Sequence, residues 1–281
     1  NIQIAYLSGS QNPQERREHL DFIESGEAKV VVGTHALFQE SVNFENLSLV
    51  IIDEQHKFGV HQRLSLSKKA NKTPHQLVMT ATPIPRSLTM SAYADLDTSV
   101  IDELPPGRQA VETVALSNSR RDELIEKIKK ISDEGRQIYW VCTLIEESEV
   151  LRAESAEKTF NYLTDNLKDL TVVMIHGKLT KSEKEIIMRD FEKGKINLLV
   201  ATTVIEVGVN VPNASLMIVE NSERLGLAQL HQLRGRVGRG SEKSICVLMY
   251  QSPLSANAKE RLDILRQSND GFMIAQKDLE L

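Results

Sequence analysis

Two adjacent carboxylates, Asp53 and Glu54, directly follow the apolar run "LVII". In open parallel sheets, ligands bind beyond the carboxyl ends of the strands. A carboxylate at that point can hold Mg²⁺ through its water shell, and its neighbour can orient or deprotonate an attacking water. The alternative is an acidic turn after a strand, but the continuation through Gln55 and His56 favours a magnesium-nucleotide site.

Hydroxyl side chains follow a second apolar run, in "QLVMTATPIPRS". Thr80 and Thr82 could hydrogen-bond the two carboxylates and sense a bound phosphate, and the two prolines stiffen the chain behind them. An ordinary Thr-Pro loop is the alternative. The sequence predicts that these hydroxyls belong to the same site as the carboxylates.

Three arginines lie among glycines in "HQLRGRVGRG": Arg234, Arg236 and Arg239. Arg236 and Arg239 are three residues apart, so on a helical turn both would point the same way. The guanidinium group suits a γ-phosphoryl group in transfer, where one arginine can contribute about 10³–10⁵ in rate. The alternative is a basic loop that contacts nucleic acid or solvent.

Two further segments place glycine and hydroxyl groups at the ends of apolar runs. "VVGTHALFQ" contains Gly33, Thr34 and His35, and "ATTVIEVGVNVP" contains Thr202, Thr203 and Gly208. Groups of this kind can position nucleic-acid phosphates without reading base sequence. A single histidine, however, is more often structural than catalytic.

Length and composition set broad limits. The chain has 281 residues, enough for about two domains, and a formal net charge of −5. That charge neither favours nor excludes nucleic acid as a partner. We expect no signal peptide and no membrane span, since no apolar stretch is long enough. Cys142 and Cys246 lie in apolar runs, which predicts buried thiols in a cytosolic protein.

Short apolar runs alternate with helix-like runs along the chain. The first part contains the strand-like runs "IQIAYLSG", "KVVVGT", "LSLVIIDE" and "QLVMTAT", with a helix predicted at residues 13–25. "DELPPGRQAVET" interrupts the pattern, because Pro and Gly continue neither element. The second part contains "QIYWVCT", "TVVMIHG", "INLLVATT", "ASLMIVEN" and "SICVLMY". The alternation predicts an α/β protein of two parallel, doubly wound lobes, with boundaries at 1–104, a linker at 105–118, 119–250, and a further segment at 251–281.

These segments, in this order, resemble the motifs of superfamily 2 helicases. "DEQH" is similar to motif II, "TAT" to motif III, "ATTVIEVGVNVP" to motif V and "QLRGRVGR" to motif VI. Longer strings such as "IIDEQHKFGVHQR" and "ENSERLGLAQLHQLRGRVGRG" closely resemble the RecG family of bacterial DNA helicases, over essentially the whole chain. The resemblance implies two RecA-like lobes of the P-loop NTPase type, with ATP and Mg²⁺ in the cleft between them. It also implies a monomeric cytoplasmic motor that remodels branched double-stranded DNA, such as stalled forks and Holliday junctions, in repair and recombination.

The resemblance implies roles for individual residues as well. Asp53 would bind Mg²⁺, Glu54 would activate water, and Arg236 and Arg239 would face the γ-phosphate. The other implied ATP-binding or coupling residues are Gln55, His56, Thr80, Thr82, Gly208, Asn210 and Gln232. The implied DNA contacts are Gly33, Thr34, His35, Thr202 and Thr203. Asn210 stands where the family usually has aspartate, although its amide can still hydrogen-bond a ribose hydroxyl.

A phosphate-binding loop of the form G-x-x-x-x-G-K-[ST] is missing from the sequence. The two Gly-Lys pairs, at Gly177 and Gly194, continue with Leu179 and Ile196 instead of Ser or Thr. We therefore expect an internal fragment whose first lobe is truncated at its N-terminus, and we expect these 281 residues alone not to hydrolyse ATP. Two alternatives stay open: a duplex translocase of the transcription–repair coupling type, and a helicase-like module that only docks DNA or protein.

Overall fold

The structure is a computed structural model. It describes residues 2–54, 66, 69–70, 72–80, 97–101, 103, 105, 107–143, 149–202, 211–240 and 242–281, with backbone only at 149–154. The chain divides into two compact units, residues 1–81 and 82–281. Among the described residues, no helix combines the length and the apolar character needed to cross a membrane.

The described residues of the first unit form four short strands and one long helix. The strands are β1 (Ile4–Leu7), β2 (Val30–Gly33), β3 (Leu49–Ile52) and β4 (His75–Val78), and the helix is α1 (Pro13–Glu24). Pro13 takes the first helical position, and the Asn12 side chain accepts a hydrogen bond from the Gln14 amide. Strand β1 pairs with β2, and β3 with β4, in parallel. All four predicted strands and the predicted helix are confirmed.

The strands of the first unit bury one face and expose the other. Ala5 and Leu7 of β1 pack with Ile23 of α1, and Val50 and Ile52 of β3 form a second small cluster. The opposite faces carry apolar side chains that are between 42% and 61% exposed, namely Ile4, Tyr6, Val30, Val32, Leu49, Ile51 and Leu77. The sequence predicted strands covered on both sides; in the described part of this unit, helix packing covers only one.

The second unit is built on a six-stranded parallel sheet. Its strands are β5 (Glu112–Ser117), β6 (Gln137–Cys142), β7 (Val172–Ile175), β8 (Leu198–Thr202), β9 (Ala214–Val219) and β10 (Ile245–Tyr250). Their order is β5-β10-β9-β6-β8-β7. Its helices are α2 (Arg121–Asp133), α3 (Glu149–Asn166), α4 (Lys181–Glu192), α5 (Leu227–Arg234), α6 (Ala256–Gln267) and α7 (Gly271–Glu280). Strand β5 lies inside the segment 105–118 for which the sequence predicted a linker.

Both faces of this sheet are covered, as predicted for a doubly wound sheet. Successive residues of β6 point to opposite sides, so Tyr139 packs in a core with Phe191 of α4, and Trp140 packs in a second core with Ile128 of α2 and Leu163 of α3. Trp140 is the largest fully buried side chain. The two predicted cysteines are free thiols buried in β6 and β10.

Candidate functional site

The predicted carboxylates lie at the carboxyl end of β3. The Met79 amide donates a 2.8 Å hydrogen bond to the Ile52 carbonyl oxygen, so β3 and β4 end side by side. Asp53 and Glu54 therefore leave the same edge of this strand pair as Thr80. The structure confirms that the carboxylates and this hydroxyl share one strand edge.

The backbone turns sharply between the two carboxylates. Glu54 has a φ of 52°, in the left-handed region that non-glycine residues seldom adopt. The Asp53 Oδ1 atom accepts a 2.9 Å hydrogen bond from the Glu54 amide, which holds this turn. Asp53 remains exposed, and its carboxylate oxygens are the hard ligands that Mg²⁺ prefers. The donor set at this strand end therefore fits a hydrated magnesium ion held by Asp53.

Strand β2 ends in a similar way. A side chain at Gly33 would place its Cβ 2.4 Å from the Leu7 carbonyl oxygen, so only glycine fits beside β1 at this position. The Thr34 amide donates to the same Leu7 carbonyl over 3.0 Å, and a short 3₁₀ helix (His35–Phe38) follows. Thr34 and His35 are both exposed. These two side chains are placed where a phosphate backbone could reach them.

Several predicted residues fall in segments that the structure leaves undescribed. They are Gln55, His56, Thr82, Thr203, Gly208 and Asn210. Thr202, the last residue of β8, is described and is buried in the second unit. It lies at the carboxyl end of the sheet.

The predicted arginines of the second unit lie just beyond helix α5. The helix ends at Arg234, and Gly238, which lies between Arg236 and Arg239, has a φ of 74° in the left-handed region. The expectation that these arginines share a helical turn is therefore wrong, because the helix stops before either of them. Their charges nevertheless act on one another: burial, followed by the charges of Arg236 and then of Arg108, lowers the pKa of Arg239.

Gln232 and Arg234 of helix α5 have opposite surroundings. Gln232 is exposed, whereas Arg234 is only 3% exposed. The Arg234 Nη1 atom donates 2.8 Å hydrogen bonds to the carbonyl oxygens of Leu265 and Ser268. Arg234 is therefore a structural residue, which leaves Arg236 and Arg239 as the arginines available to a ligand.

His231, in the same helix, contacts the buried Arg234 side chain. Its Nδ1 atom lies 2.9 Å from Arg234 Nη2, and the imidazole accepts this hydrogen bond in its neutral form. Burial, and then the charge of Arg234, lower the pKa of His231 to about 4, although Asp270 opposes them. His231 is therefore a structural residue that supports Arg234.

Sequence reasoning missed Arg108. It lies in the Pro-Gly segment ahead of β5, yet its Nε atom donates a 2.9 Å hydrogen bond to the Gly238 carbonyl oxygen, between Arg236 and Arg239. Within the described part of the chain, neither Arg108, Arg236 nor Arg239 forms an ion pair with a carboxylate. Three guanidinium groups with unbalanced charge fit a polyanion such as a phosphate chain.

Two family models match the chain. The DEAD/DEAH box helicase model matches residues 1–91, and the helicase conserved C-terminal domain model matches residues 118–241. The first match includes Asp53 and Glu54, and the second includes the segment 235–240 with Arg236 and Arg239, called the arginine loop below. The domains that the two models describe are the two RecA-like lobes that this α/β structure also shows.

Individual relatives agree with the family models. The ATP-dependent DNA helicase RecG of Escherichia coli strain K12 is 60% identical over the whole chain, and RecG of Bacillus subtilis strain 168 is 47% identical. This chain spans 41% of the length of each.

Solved structures share the fold. A structure of RecG bound to a three-way DNA junction has 43% identity and a TM-score of 0.77, and the match covers 99% of this chain and 36% of that one. Dbp5 from S. cerevisiae, bound to RNA and ADP BeF3, has 15% identity and a TM-score of 0.62, and the match covers 96% of this chain and 68% of that one. The second likeness concerns the fold alone.

Proposed function

Because this chain belongs to the RecG family of ATP-dependent DNA helicases, we propose that it supplies catalytic residues to an ATP-driven DNA motor. The motor remodels branched double-stranded DNA, such as stalled replication forks and Holliday junctions, in repair and recombination. It acts as a monomer in the bacterial cytoplasm. The branched substrate is supported by a relative solved on a three-way DNA junction.

This proposal rests on the placement of Asp53 and Glu54 directly beyond the carboxyl end of β3. In our assignment, Asp53 holds Mg²⁺ through its water shell, and Glu54 orients the attacking water and takes its proton. Bound Mg²⁺ would neutralise charge on the ATP phosphates. Thr80 leaves the same strand edge, where its hydroxyl can sense whether a phosphate is present.

In this proposal, Arg236 and Arg239 are the cationic side chains that face the ATP phosphates. Their guanidinium groups, which are half-buried and carry no carboxylate partner among the described residues, stabilise the charge that develops on the γ-phosphoryl group. Gln232, exposed on the last turn of α5, contacts the same nucleotide. Thr34, His35 and Thr203, which follows the buried Thr202, contact the DNA backbone, which positions the motor without reading base sequence.

The full-length coding sequence that contains this chain provides the test. ATP hydrolysis would be measured with forked DNA, with linear duplex DNA and without DNA, for the wild type and for Glu54→Gln, Arg236→Ala and Arg136→Ala. We expect forks to stimulate hydrolysis most. Glu54→Gln removes the general base and should lower kcat by at least about 100-fold, and Arg236→Ala by about 1,000-fold.

Arg136→Ala is the matched control. Arg136 also donates to a backbone carbonyl of the second unit, that of Lys243, but it pairs with Glu134, and among the described residues it hydrogen-bonds neither Gly238 nor Arg236 nor Arg239. Its kcat should stay within about twofold of the wild type. Equal stimulation by forked and linear DNA would instead support a translocase of the coupling-factor type. Hydrolysis that survives Glu54→Gln, or no hydrolysis with any DNA, would contradict the proposal.

A further inference from the structure

We infer that Arg108 is a positioning residue, which fixes the loop that carries Arg236 and Arg239 and so sets where their guanidinium groups stand. The inference rests on the proposed function, in which those two arginines act on the phosphates of ATP. Arg108 lies 130 residues before Gly238, and the strands β5 to β9 of the second unit lie between them in the chain.

The contact falls at the centre of the loop. Arg108 Nε donates to the carbonyl oxygen of Gly238, which stands between Arg236 and Arg239 and has a φ of 74°. Gly238 is buried and lies outside every helix and strand, so its carbonyl oxygen has no partner of a regular element, and the hydrogen bond from Arg108 satisfies it and orients its peptide plane. Fixing that plane fixes the direction in which residues on either side leave it.

Packing at the same point leaves no spare room. A Cβ atom built on Gly238 would lie 2.6 Å from Val111 Cγ2 and 3.8 Å from the Gln109 carbonyl oxygen. Val111 is buried, and the next residue, Glu112, begins β5 with a 3.0 Å hydrogen bond from its amide to the Ser244 carbonyl. The segment 108–111 is therefore held by the sheet, and it holds the arginine loop in turn.

The surroundings of Arg108 differ from those of the structural arginines of this unit. Arg234, which is structural, has several buried acceptors, and Arg136 has a carboxylate. Arg108 instead stands beside two other cations, and its charge helps to lower the pKa of Arg239. Gathering like charges costs free energy unless an anion balances them, and this arrangement is typical of phosphate sites.

Kinetics in the full-length protein test this role. The variants are Arg108→Ala, Arg108→Lys, Arg236→Ala and the double variant of Arg108→Ala with Arg236→Ala, with Arg136→Ala as control. A displaced catalytic group can cost up to about 100-fold, so Arg108→Ala should lower the DNA-stimulated kcat by about 10- to 100-fold, with a change in KM for ATP below about threefold. Lysine can donate to the same carbonyl and should restore part of the loss.

The double variant separates positioning from independent action. If Arg108 acts through Arg236, removing both should cost no more than removing Arg236 alone. Additive losses would overturn the inference, and so would a kcat for Arg108→Ala within about twofold of the wild type. A merely structural role would lower the melting temperature and leave the kcat of the folded fraction unchanged, which also overturns it.

A second readout does not depend on ATP hydrolysis. Trypsin cleavage after Arg236 and Arg239 in the nucleotide-free full-length protein, mapped by mass spectrometry, reports how often the loop opens. Loss of the Gly238 hydrogen bond should speed this cleavage by about fivefold in Arg108→Ala and leave it unchanged in Arg136→Ala. If cleavage is unchanged in Arg108→Ala as well as in Arg136→Ala, the positioning role is overturned, even if the wild type proves to have no ATPase activity. If cleavage is faster in Arg108→Ala but the wild type hydrolyses no ATP, only the proposed function is refuted.

Discussion

Arg234 Nη1 donates a 2.8 Å hydrogen bond to the carbonyl oxygen of Leu265, which ties the helix before the arginine loop to helix α6. The same atom reaches the Ser268 carbonyl over 2.8 Å and the Thr113 hydroxyl over 3.3 Å. One buried guanidinium group thus satisfies carbonyls at the end of α6 that the helix itself leaves unpaired. The helices after the sheet are thereby joined to the arginine loop.

Replacing Arg234 should therefore destabilise the second unit. Arg234→Met keeps much of the side-chain volume but removes several hydrogen bonds of a charged donor, so the free energy of unfolding should fall by about 2–4 kcal/mol. Urea unfolding followed by the fluorescence of Trp140, the single tryptophan of the chain, would measure it. Arg266→Met in α6, which pairs only with Asp263 at the surface, should change stability by less than about 0.5 kcal/mol. Equal effects of the two variants would contradict the assignment.

Arg121 and Glu220 form an ion pair at the carboxyl edge of the same sheet. Glu220 is buried and also accepts a 3.3 Å hydrogen bond from the Thr159 hydroxyl, while the Arg121 guanidinium lies 5.4 Å from the Trp140 ring centroid and 5.3 Å from that of Tyr162. Glu220→Gln should lower the free energy of unfolding by about 2–4 kcal/mol, because it leaves a largely desolvated cation without its anion. Trp140 fluorescence would report both the unfolding and the altered ring environment.

The control for this pair is its neighbour. Arg120 pairs with Glu123 over 2.6 Å, but their side chains are 57% and 58% exposed, so Glu123→Gln should cost less than about 0.5 kcal/mol. The double variant of Arg121→Met with Glu220→Gln should cost less than the sum of the two single changes. A strictly additive result would show that the two side chains do not interact.

Acid should destabilise the second unit through His231. Burial and the charge of Arg234 lower the pKa of this histidine from 6.5 to about 4, against the smaller opposing effect of Asp270. Between pH 6.5 and 4 the unfolded chain therefore binds a proton that the folded chain does not, and the free energy of unfolding decreases as the pH falls through this window. Melting temperatures at pH 7 and pH 4.5 should differ less in His231→Asn, whose amide can also accept from Arg234. Parallel pH profiles of the two proteins would refute this linkage.

The exposed face of the first unit should make the 281-residue chain associate with itself. Ile51 and Leu77 lie on neighbouring strands, and both are at least half exposed. Changing both to Thr should reduce ANS fluorescence and shift light scattering toward the monomer, since the apolar patch shrinks while strand propensity is kept. Val50→Thr, on the buried face of the same strand, should instead lower stability without reducing association. Monomeric wild type with no ANS binding would contradict the prediction.

Periodicity located most elements because each packs in the way its pattern indicates. Leu124, Ile128 and Ile131 share one face of α2, and all three are buried against the sheet. Strand β5 was missed because the Pro-Gly pair before it suggests a continuous linker. Its pairing with β10, in which Glu112 lies opposite Ile245 and Ser117 opposite Tyr250, cannot be seen locally. Tertiary pairing, not local propensity, makes this segment a strand.

In the candidate site, too, local patterns predicted some residues, while long-range contacts decided others. Asp53, Glu54 and Thr80 were predicted together because strand ends of a parallel sheet meet at one edge. The sequence could not tell Arg234 from Arg236 and Arg239, because the three have the same side chain within six residues. Packing by α6 buries the first and leaves the others available. The contribution of Arg108 depends on a contact across 130 residues, for which no local pattern exists.

The pairing of β5 with β10 also determines when parts of the second unit can fold during synthesis. The first strand of the second unit cannot find its neighbour until residues 245–250 have left the ribosome, because β10 is its partner in the sheet. Until then the intervening strands can assemble, but Arg108 has nothing to hold it against Gly238. Closing contacts of such long sequence separation form late and slowly. The arginine loop therefore forms only after β10 has paired with β5, and a nascent or partly folded chain would lack a correctly formed phosphate-contacting loop until its sheet is complete.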